Sequence, residues 1–384
     1  MKMHEIGTMP PLGELPDKMK AVVIRPDREG EPLDSMKIED MPVPKVGAND
    51  VLVMVMAAGV NFNGVWAARG KPVSTIKMHP EQDFHIAGSD ASGIVWKVGS
   101  EVRRWKVGDE VILHCNQSCR QCEECNGGDP LACSEQKIWG YETNYGSFAQ
   151  YCLVQSQQLL PKPKHLSWEE SASYGLTLFT AYRMLMARAE MKPGDNVLVW
   201  GASGGLGVFA VQLCKLAGAH PIAVVSSDEK AALVRELGAE MIVNRREYDL
   251  SKGPSESRRL GKKIRELTGG ADPDIVFEHV GAYTFPTSVL LCKRFGKIVI
   301  CGATTGYNLE FDVRYLWMRQ KSIIGSHFAN MHQAGIANRL VIDKKIRPVL
   351  DETFNFEETA VAHDLMANNK HKGKMAIRVQ APRP

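Results

Sequence analysis

The run Val197, Leu198, Val199, Trp200 leads directly into Gly201, Ala202, Ser203, Gly204, Gly205, Leu206 and Gly207. An apolar strand that breaks into clustered glycines and restarts as an apolar helix leaves little choice of fold. Glycines let the backbone pass close to a pyrophosphate, and the helix start offers free N–H groups and a positive dipole end. Strands and helices alternate around it: strand 197–200, helix 205–217, strand 221–225, helix 227–237 and strand 241–243. Residues 262–268 close a further helix, and 274–278 and 297–301 read as strands. Such alternation predicts an α/β domain with a doubly wound parallel sheet of the Rossmann kind. Gly201, Ser203, Gly204, Gly205, Leu206 and Gly207 are its expected dinucleotide-binding residues.

The second strand of this domain selects the cofactor. An NAD site wants a carboxylate about 20 residues past the glycines, on the ribose 2′-hydroxyl. Here the strand ends in Ser226 and Ser227, with Lys230 following, and Arg245 lies at the end of the next strand. Hydroxyls and cations suit a 2′-phosphate, and Asp228 falls late for the ribose. NADPH is the expected cofactor.

Residues 20–160 have a different texture. Short apolar runs at 20–24, 51–57, 93–98 and 110–114 are separated by glycine and proline turns, which predicts a compact β-barrel-type domain. Residues 167–189 read as one helix, with Ser167 as N-cap and an acidic first turn. The tail after Asn330 is mixed and is expected to return to the first domain. The predicted organisation is 1–165 with 331–384, and 166–330.

A net charge of +3 is too small to argue for nucleic acid, and no basic stripe stands out. No run of about 18 apolar residues is present, and the first fifteen residues lack a secretory pattern, so a cytoplasmic protein is expected.

Four of the nine cysteines cluster as Cys119, Cys122, Cys125 and Cys133. Four thiolates on one short loop can close a tetrahedral site with no open position, which is how structural zinc is held. Cys115 is an alternative ligand. Cys152, Cys214, Cys292 and Cys301 stand alone in apolar stretches and read as small buried residues.

The lobe cysteines, the Gly108, Asp109, Glu110, Val111 string and the 201–207 loop together resemble the medium-chain dehydrogenase/reductase superfamily across nearly the whole chain. The resemblance implies a GroES-like catalytic domain beside the Rossmann domain. Zinc alcohol dehydrogenases of that superfamily hold a catalytic zinc on cysteine and histidine. The matching positions here are Asn61 and Ser89, with no cysteine in 174–180, so no catalytic zinc is expected. An enoyl or quinone reductase remains.

Longer strings at 57–66, 86–91, 138–143, 311–315 and 325–330 resemble the crotonyl-CoA carboxylase/reductase family of enoyl-CoA reductases. Two departures stand out: the region 252–259 looks trimmed, and the four-cysteine lobe is kept. The resemblance implies hydride transfer to the β-carbon of a 2-enoyl thioester. The enolate formed can attack CO2 or take a proton. It also implies a CO2 pocket at Asn63, Tyr141, Glu142 and His327. An amide and an imidazole can donate to CO2, and Glu142 can orient His327. Tyr141 stands where phenylalanine is expected, and its hydroxyl is a candidate proton source. Arg314 and Tyr315 are placed to meet a coenzyme A phosphate.

The expected partners are therefore an acyl-CoA and CO2, in a homodimer or homotetramer. Two other readings remain: an enoyl-CoA or quinone reductase that only protonates, and a non-catalytic binding protein built on the same dinucleotide fold.

Overall fold

The computed structural model describes residues 3–382. The chain divides into two compact units, Met1–Leu176 with Asn330–Pro384, and Thr177–Ala329.

The first unit carries β1 (Lys18–Ile24), β2 (Lys37–Pro42), β3 (Asp50–Gly59), β4 (His85–Ile86), β5 (Ala91–Val98), β6 (Glu110–Leu113), β7 (Asn116–Gln117), β8 (Lys137–Ile138), β9 (Tyr151–Gln155) and β10 (Leu159–Pro161). The second carries β11 (Asn196–Val199), β12 (His220–Val225), β13 (Met241–Asn244), β14 (Ile275–Glu278), β15 (Lys297–Ile300) and β16 (Ser322–Gly325). The chain then returns to the first unit with β17 (Leu350–Asn355) and β18 (Lys374–Arg378).

β3 organises the first unit. Its residues from Val51 to Gly59 are all buried, as expected of a strand covered on both faces. The seven-stranded sheet runs β10-β6-β5-β3-β18-β17, and β9 also pairs with β3. β9 takes Asp50 to Met54 and β18 takes Ala57 to Gly59, so one edge of β3 serves two partners in succession. Register shifts after Leu52 and Val55 bend the strand to allow it. Val53, Val55, Val65, Val95, Trp139, Phe148 and Ile377 belong to the core on one side. Met19, Leu52, Met54, Trp96 and Tyr151 belong to the core on the other.

The second unit is the doubly wound parallel sheet, ordered β13-β12-β11-β14-β15-β16. Strand order reverses at β11, and the glycine loop leaves its carboxyl end. Leu198, Trp200, Val224, Val276, Val289 and Ile298 form its core.

The predicted strands are present, with ends shifted by one or two residues. The single helix expected at 167–189 is instead Trp168–Ala172, Gly175–Tyr182 and a π-helical turn Arg183–Arg188. Ser167 does cap it: its hydroxyl and the Glu170 carboxylate exchange hydrogen bonds with each other's backbone N–H. The break moves the unit boundary from the expected 165 to Leu176, because Trp168–Ala172 packs on β3, β5 and β18. Helix Phe285–Leu291 and strand β16 have no counterpart among the sequence expectations.

Three histidines in the first unit, His85, His114 and His363, are fully buried. Burial drives the His85 pKa down to about 3. It drives His363 down to about 4, although Nδ1 donates to the Thr359 carbonyl at 2.7 Å. Both are neutral when folded and titrate near 6.5 when unfolded. Below pH 6.5 the unfolded chain therefore binds more protons, and folding stability falls as pH falls. Each site contributes a slope of up to about 1.4 kcal/mol per pH unit. Denaturant titrations between pH 7 and pH 5 should record this loss. His85→Gln should flatten the slope, and an unchanged slope would refute the assignment.

Candidate functional site

The glycine loop is shaped for close approach. Gly201 has φ +56°, and Gly204 N–H donates to the Gly201 carbonyl at 2.9 Å, which turns the chain sharply. A Cβ on Gly207 would collide with the Gly201 carbonyl oxygen and the Ala202 backbone. The helix Gly207–Leu216 starts there with no side-chain cap, so its first N–H groups face the loop. Ser203 is buried within the turn, and Gly205 and Leu206 complete it.

Two of the residues expected at a 2′-phosphate leave neighbouring strands at the same end of the sheet. β12 and β13 pair in parallel with Val225 opposite Asn244, so Ser226 and Arg245 leave neighbouring strand ends side by side. Ser227 caps the next helix by accepting from the Lys230 N–H at 3.3 Å. That oxygen accepts at the helix start and leaves its own proton to donate, while Arg245 is exposed.

Asn63 lies in the first turn of helix Phe62–Arg69. Its Nδ2 donates to Ser89 Oγ at 2.7 Å. Gly88, next in the chain, donates its N–H to the Gly140 carbonyl at 3.1 Å. A Cβ on Gly140 would overlap the Gly88 carbonyl, so glycine is required for this crossing. Tyr141 and Glu142 follow at once. Asn63, Ser89, Tyr141 and Glu142 therefore occupy one neighbourhood, built from segments far apart in sequence.

Two details differ from the sequence expectation. The Tyr141 hydroxyl donates to the Lys71 carbonyl at 2.8 Å, so its proton is engaged with the backbone. Glu142 Oε2 accepts from the Ile138 N–H at 2.7 Å and closes its own turn. His79, unremarked in the sequence, places Nε2 2.5 Å from the Glu142 carbonyl oxygen. His327 belongs to the second unit, where it is exposed and its ring lies edge-on to Phe328. Desolvation, then the charge of Arg183, lowers its pKa, so it is the neutral imidazole, donor at one nitrogen.

Asn61 Nδ2 donates to Asp90 Oδ2 at 2.9 Å, and Lys374 Nζ donates to the side-chain Asn61 Oδ1 and to the Val60 backbone carbonyl. A dication at this position would meet a buried ammonium. The side chains here satisfy one another.

Arg314 and Tyr315 are less available than expected. Arg314 makes a two-pronged pair with Asp312, at 2.9 and 2.7 Å, and the Tyr315 hydroxyl accepts from Arg258 at 3.4 Å. A phosphate would have to compete with the Asp312 carboxylate. The acid two residues upstream was visible in the sequence.

The four lobe cysteines converge: the sulfurs of Cys119, Cys122, Cys125 and Cys133 all lie within 4.8 Å of one another. Cys119 and Cys125 are 3.9 Å apart, close to the edge of about 3.8 Å that four Zn–S bonds of about 2.3 Å require. N–H groups of Gln121 and Cys122 point at Cys119 Sγ and hold its pKa down to about 7. The donor set fits zinc with no position left for substrate. Cys115 is fully buried and outside the cluster.

Residues 47–164 match the alcohol dehydrogenase GroES-like domain, and residues 205–341 match the zinc-binding dehydrogenase domain. The crotonyl-CoA carboxylase/reductase of Cereibacter sphaeroides is 53% identical, over 99% of this chain and 92% of its own. The chain belongs to the crotonyl-CoA carboxylase/reductase family. A crotonyl-CoA reductase of Streptomyces avermitilis is 45% identical, over 96% of this chain and 90% of its own. Among solved structures, a 2-octenoyl-CoA carboxylase reductase in complex with NADP and 2-octenoyl-CoA superposes with a TM-score of 0.92. It is 40% identical, over 96% of this chain and 89% of that one. The zinc-binding dehydrogenase match contains none of the lobe cysteines and has no bearing on the metal.

Proposed function

We propose that this protein uses NADPH to reduce a 2-enoyl-CoA thioester of the crotonyl-CoA type and joins CO2 to the product enolate, giving an alkylmalonyl-CoA. The observation that carries the reading is the polar neighbourhood of Asn63, Tyr141 and Glu142 in a chain of this family. When bound, NADPH supplies the hydride for the β-carbon. The substrate leaves that step as an enolate, nucleophilic at the α-carbon. Attack on CO2 forms a carbon–carbon bond and a carboxylate, whereas a proton at the same carbon gives the saturated acyl-CoA.

The residues decide between these outcomes. Asn63 keeps one N–H for a CO2 oxygen after donating the other to Ser89. Neutral His327 offers a second donor without carrying an extra acidic proton. Tyr141 contributes a ring wall, with its hydroxyl turned to Lys71. Such fixed donors act best where water is excluded. Glu142 closes its own turn through the Ile138 N–H. Arg314 and Tyr315 are the proposed coenzyme A contacts.

Product analysis by mass spectrometry, with NADPH, crotonyl-CoA and labelled bicarbonate, tests the reading. Wild type should incorporate label. Asn63→Leu should shift the products several-fold toward the saturated acyl-CoA, the effect of one lost hydrogen bond of about 0.5–1.5 kcal/mol. Saturated acyl-CoA alone from wild type would make this a purely protonating reductase.

Cofactor choice rests on Ser226, Ser227, Lys230 and Arg245. Binding titrations should give tighter NADPH than NADH. Lys230→Ala should weaken NADPH by about 1.5–3 kcal/mol, the range for a charged hydrogen bond. Equal affinity for NADH would sink the assignment.

Zinc held by Cys119, Cys122, Cys125 and Cys133 is proposed as structural. Metal analysis should return about one zinc per chain. Cys122→Ser should lower the melting temperature more than the turnover of the protein that remains folded. A fully folded, metal-free wild type would refute it.

A homodimer or homotetramer is proposed from β16. It ends the parallel sheet, and Trp317, Met318 and Ile323 beside or within it are exposed. A bare edge with apolar neighbours is a surface for strand pairing. Among the described residues no helix is long and apolar enough to cross a membrane.

A further inference from the structure

Two hydrogen bonds run side by side between residues 61–63 and 89–90. Asn61 Nδ2 donates to Asp90 Oδ2 at 2.9 Å, and Asn63 Nδ2 donates to Ser89 Oγ at 2.7 Å. Lys374 stands at the foot of the first. Its Nζ donates to the Val60 carbonyl at 2.8 Å and to Asn61 Oδ1, and Asp90 Oδ2 is 3.5 Å away. The Lys374 and Asp90 side chains are only 2% and 1% exposed. The other Asp90 oxygen accepts the Leu176 N–H at 2.7 Å.

This arrangement fixes the Asn61 amide at both ends. Its oxygen faces an ammonium and its nitrogen faces a carboxylate, so the amide has one orientation. Asn61 is also the residue before helix Phe62–Arg69, with extended backbone, and its side chain makes no cap to that helix. A side chain that ordinarily holds a helix start is instead drawn into the ion pair. The first turn, which carries Asn63, is thereby fastened to Lys374 and Asp90. Asn63 has no further protein partner for its second N–H or its oxygen among the described residues, so its direction depends on Ser89 and on the turn beneath it.

A buried ion pair is a poor source of stability, since well-packed apolar residues of equal volume serve as well. Its value here lies in orientation. We propose that Lys374, paired with Asp90, is a positioning residue for CO2 capture: it locks Asn61 and so aims the Asn63 amide. The inference rests on the reading of Asn63 as the group that holds a CO2 oxygen.

The test uses Lys374→Met, Asp90→Asn and the double variant, each in the full-length protein. Melting temperature is recorded beside the fraction of oxidised NADPH that ends as carboxylated product, across a range of CO2 concentrations with crotonyl-CoA. Each single variant leaves one buried charge alone and should melt lower. The double variant removes both charges, keeps an amide beside Asn61, and should regain most of the melting temperature. It should nevertheless need several-fold more CO2 to reach half of its maximal carboxylated fraction. A double variant that regains both stability and the wild-type CO2 dependence overturns the proposal, since the pair would then serve only the fold. A wild type that never carboxylates overturns the reading of Asn63 and this inference with it, whereas variants that match a carboxylating wild type overturn this inference alone.

Discussion

A carboxylate cannot be buried alone, and the first unit is arranged around that fact. Asp90 lies between β4 and β5 with almost no exposure. Burial raises its pKa and lowers that of Lys374, so each group depends on the other for its charge. The Gly59 N–H donates to the Asp90 carbonyl, Leu176 donates to its side chain, and Lys374 arrives on β18. Four segments meet at one residue. The same residue sets the distance between the strand end at Gly59 and the segment that carries Ser89. The polar neighbourhood around Asn63 is a product of this junction.

What the sequence disclosed was local. The 201–207 loop declares itself because strand, turn and helix are consecutive. The cysteine lobe declares itself because its four ligands span fifteen residues. Ser167 was readable as a cap from the Glu170 three positions on. The Lys374 junction could not be read in this way, because Val60 and Asn61 are more than 300 residues from their partner. The break in the helix at 167–189 was also hidden. Gly175 was the one local hint, and the tertiary packing of Trp168–Ala172 on β3 decided the matter.

Residue type proved a weaker guide than hydrogen-bond partner. Tyr141 reads as an acid within reach of an enolate until its hydroxyl is found on the Lys71 carbonyl. Arg314 reads as a phosphate ligand until Asp312 is found holding both of its prongs. Ser227 reads as a 2′-phosphate contact and is also the cap of a helix. Each donor was correctly recognised as a donor. For Tyr141 and Arg314 the direction is set by a neighbour, seventy or two residues away, that takes the same proton.

The order of the strands in the first unit has a consequence for biosynthesis. β3 cannot complete its edge until β18 pairs with Ala57 to Gly59, and β18 is the last strand of the chain. The second unit, by contrast, is one uninterrupted stretch from Thr177 to Ala329. On a ribosome the nucleotide-binding unit is finished first and can fold behind an amino-terminal half that is still open. During that interval Asp90 lacks its ammonium, and the apolar face of β3 lacks its cover. The nascent chain thus carries an exposed, sticky strand until β18 is translated. Such long-range closure is slow by topology alone. That open half stays exposed to misassembly until β18 emerges and pairs with Ala57 to Gly59.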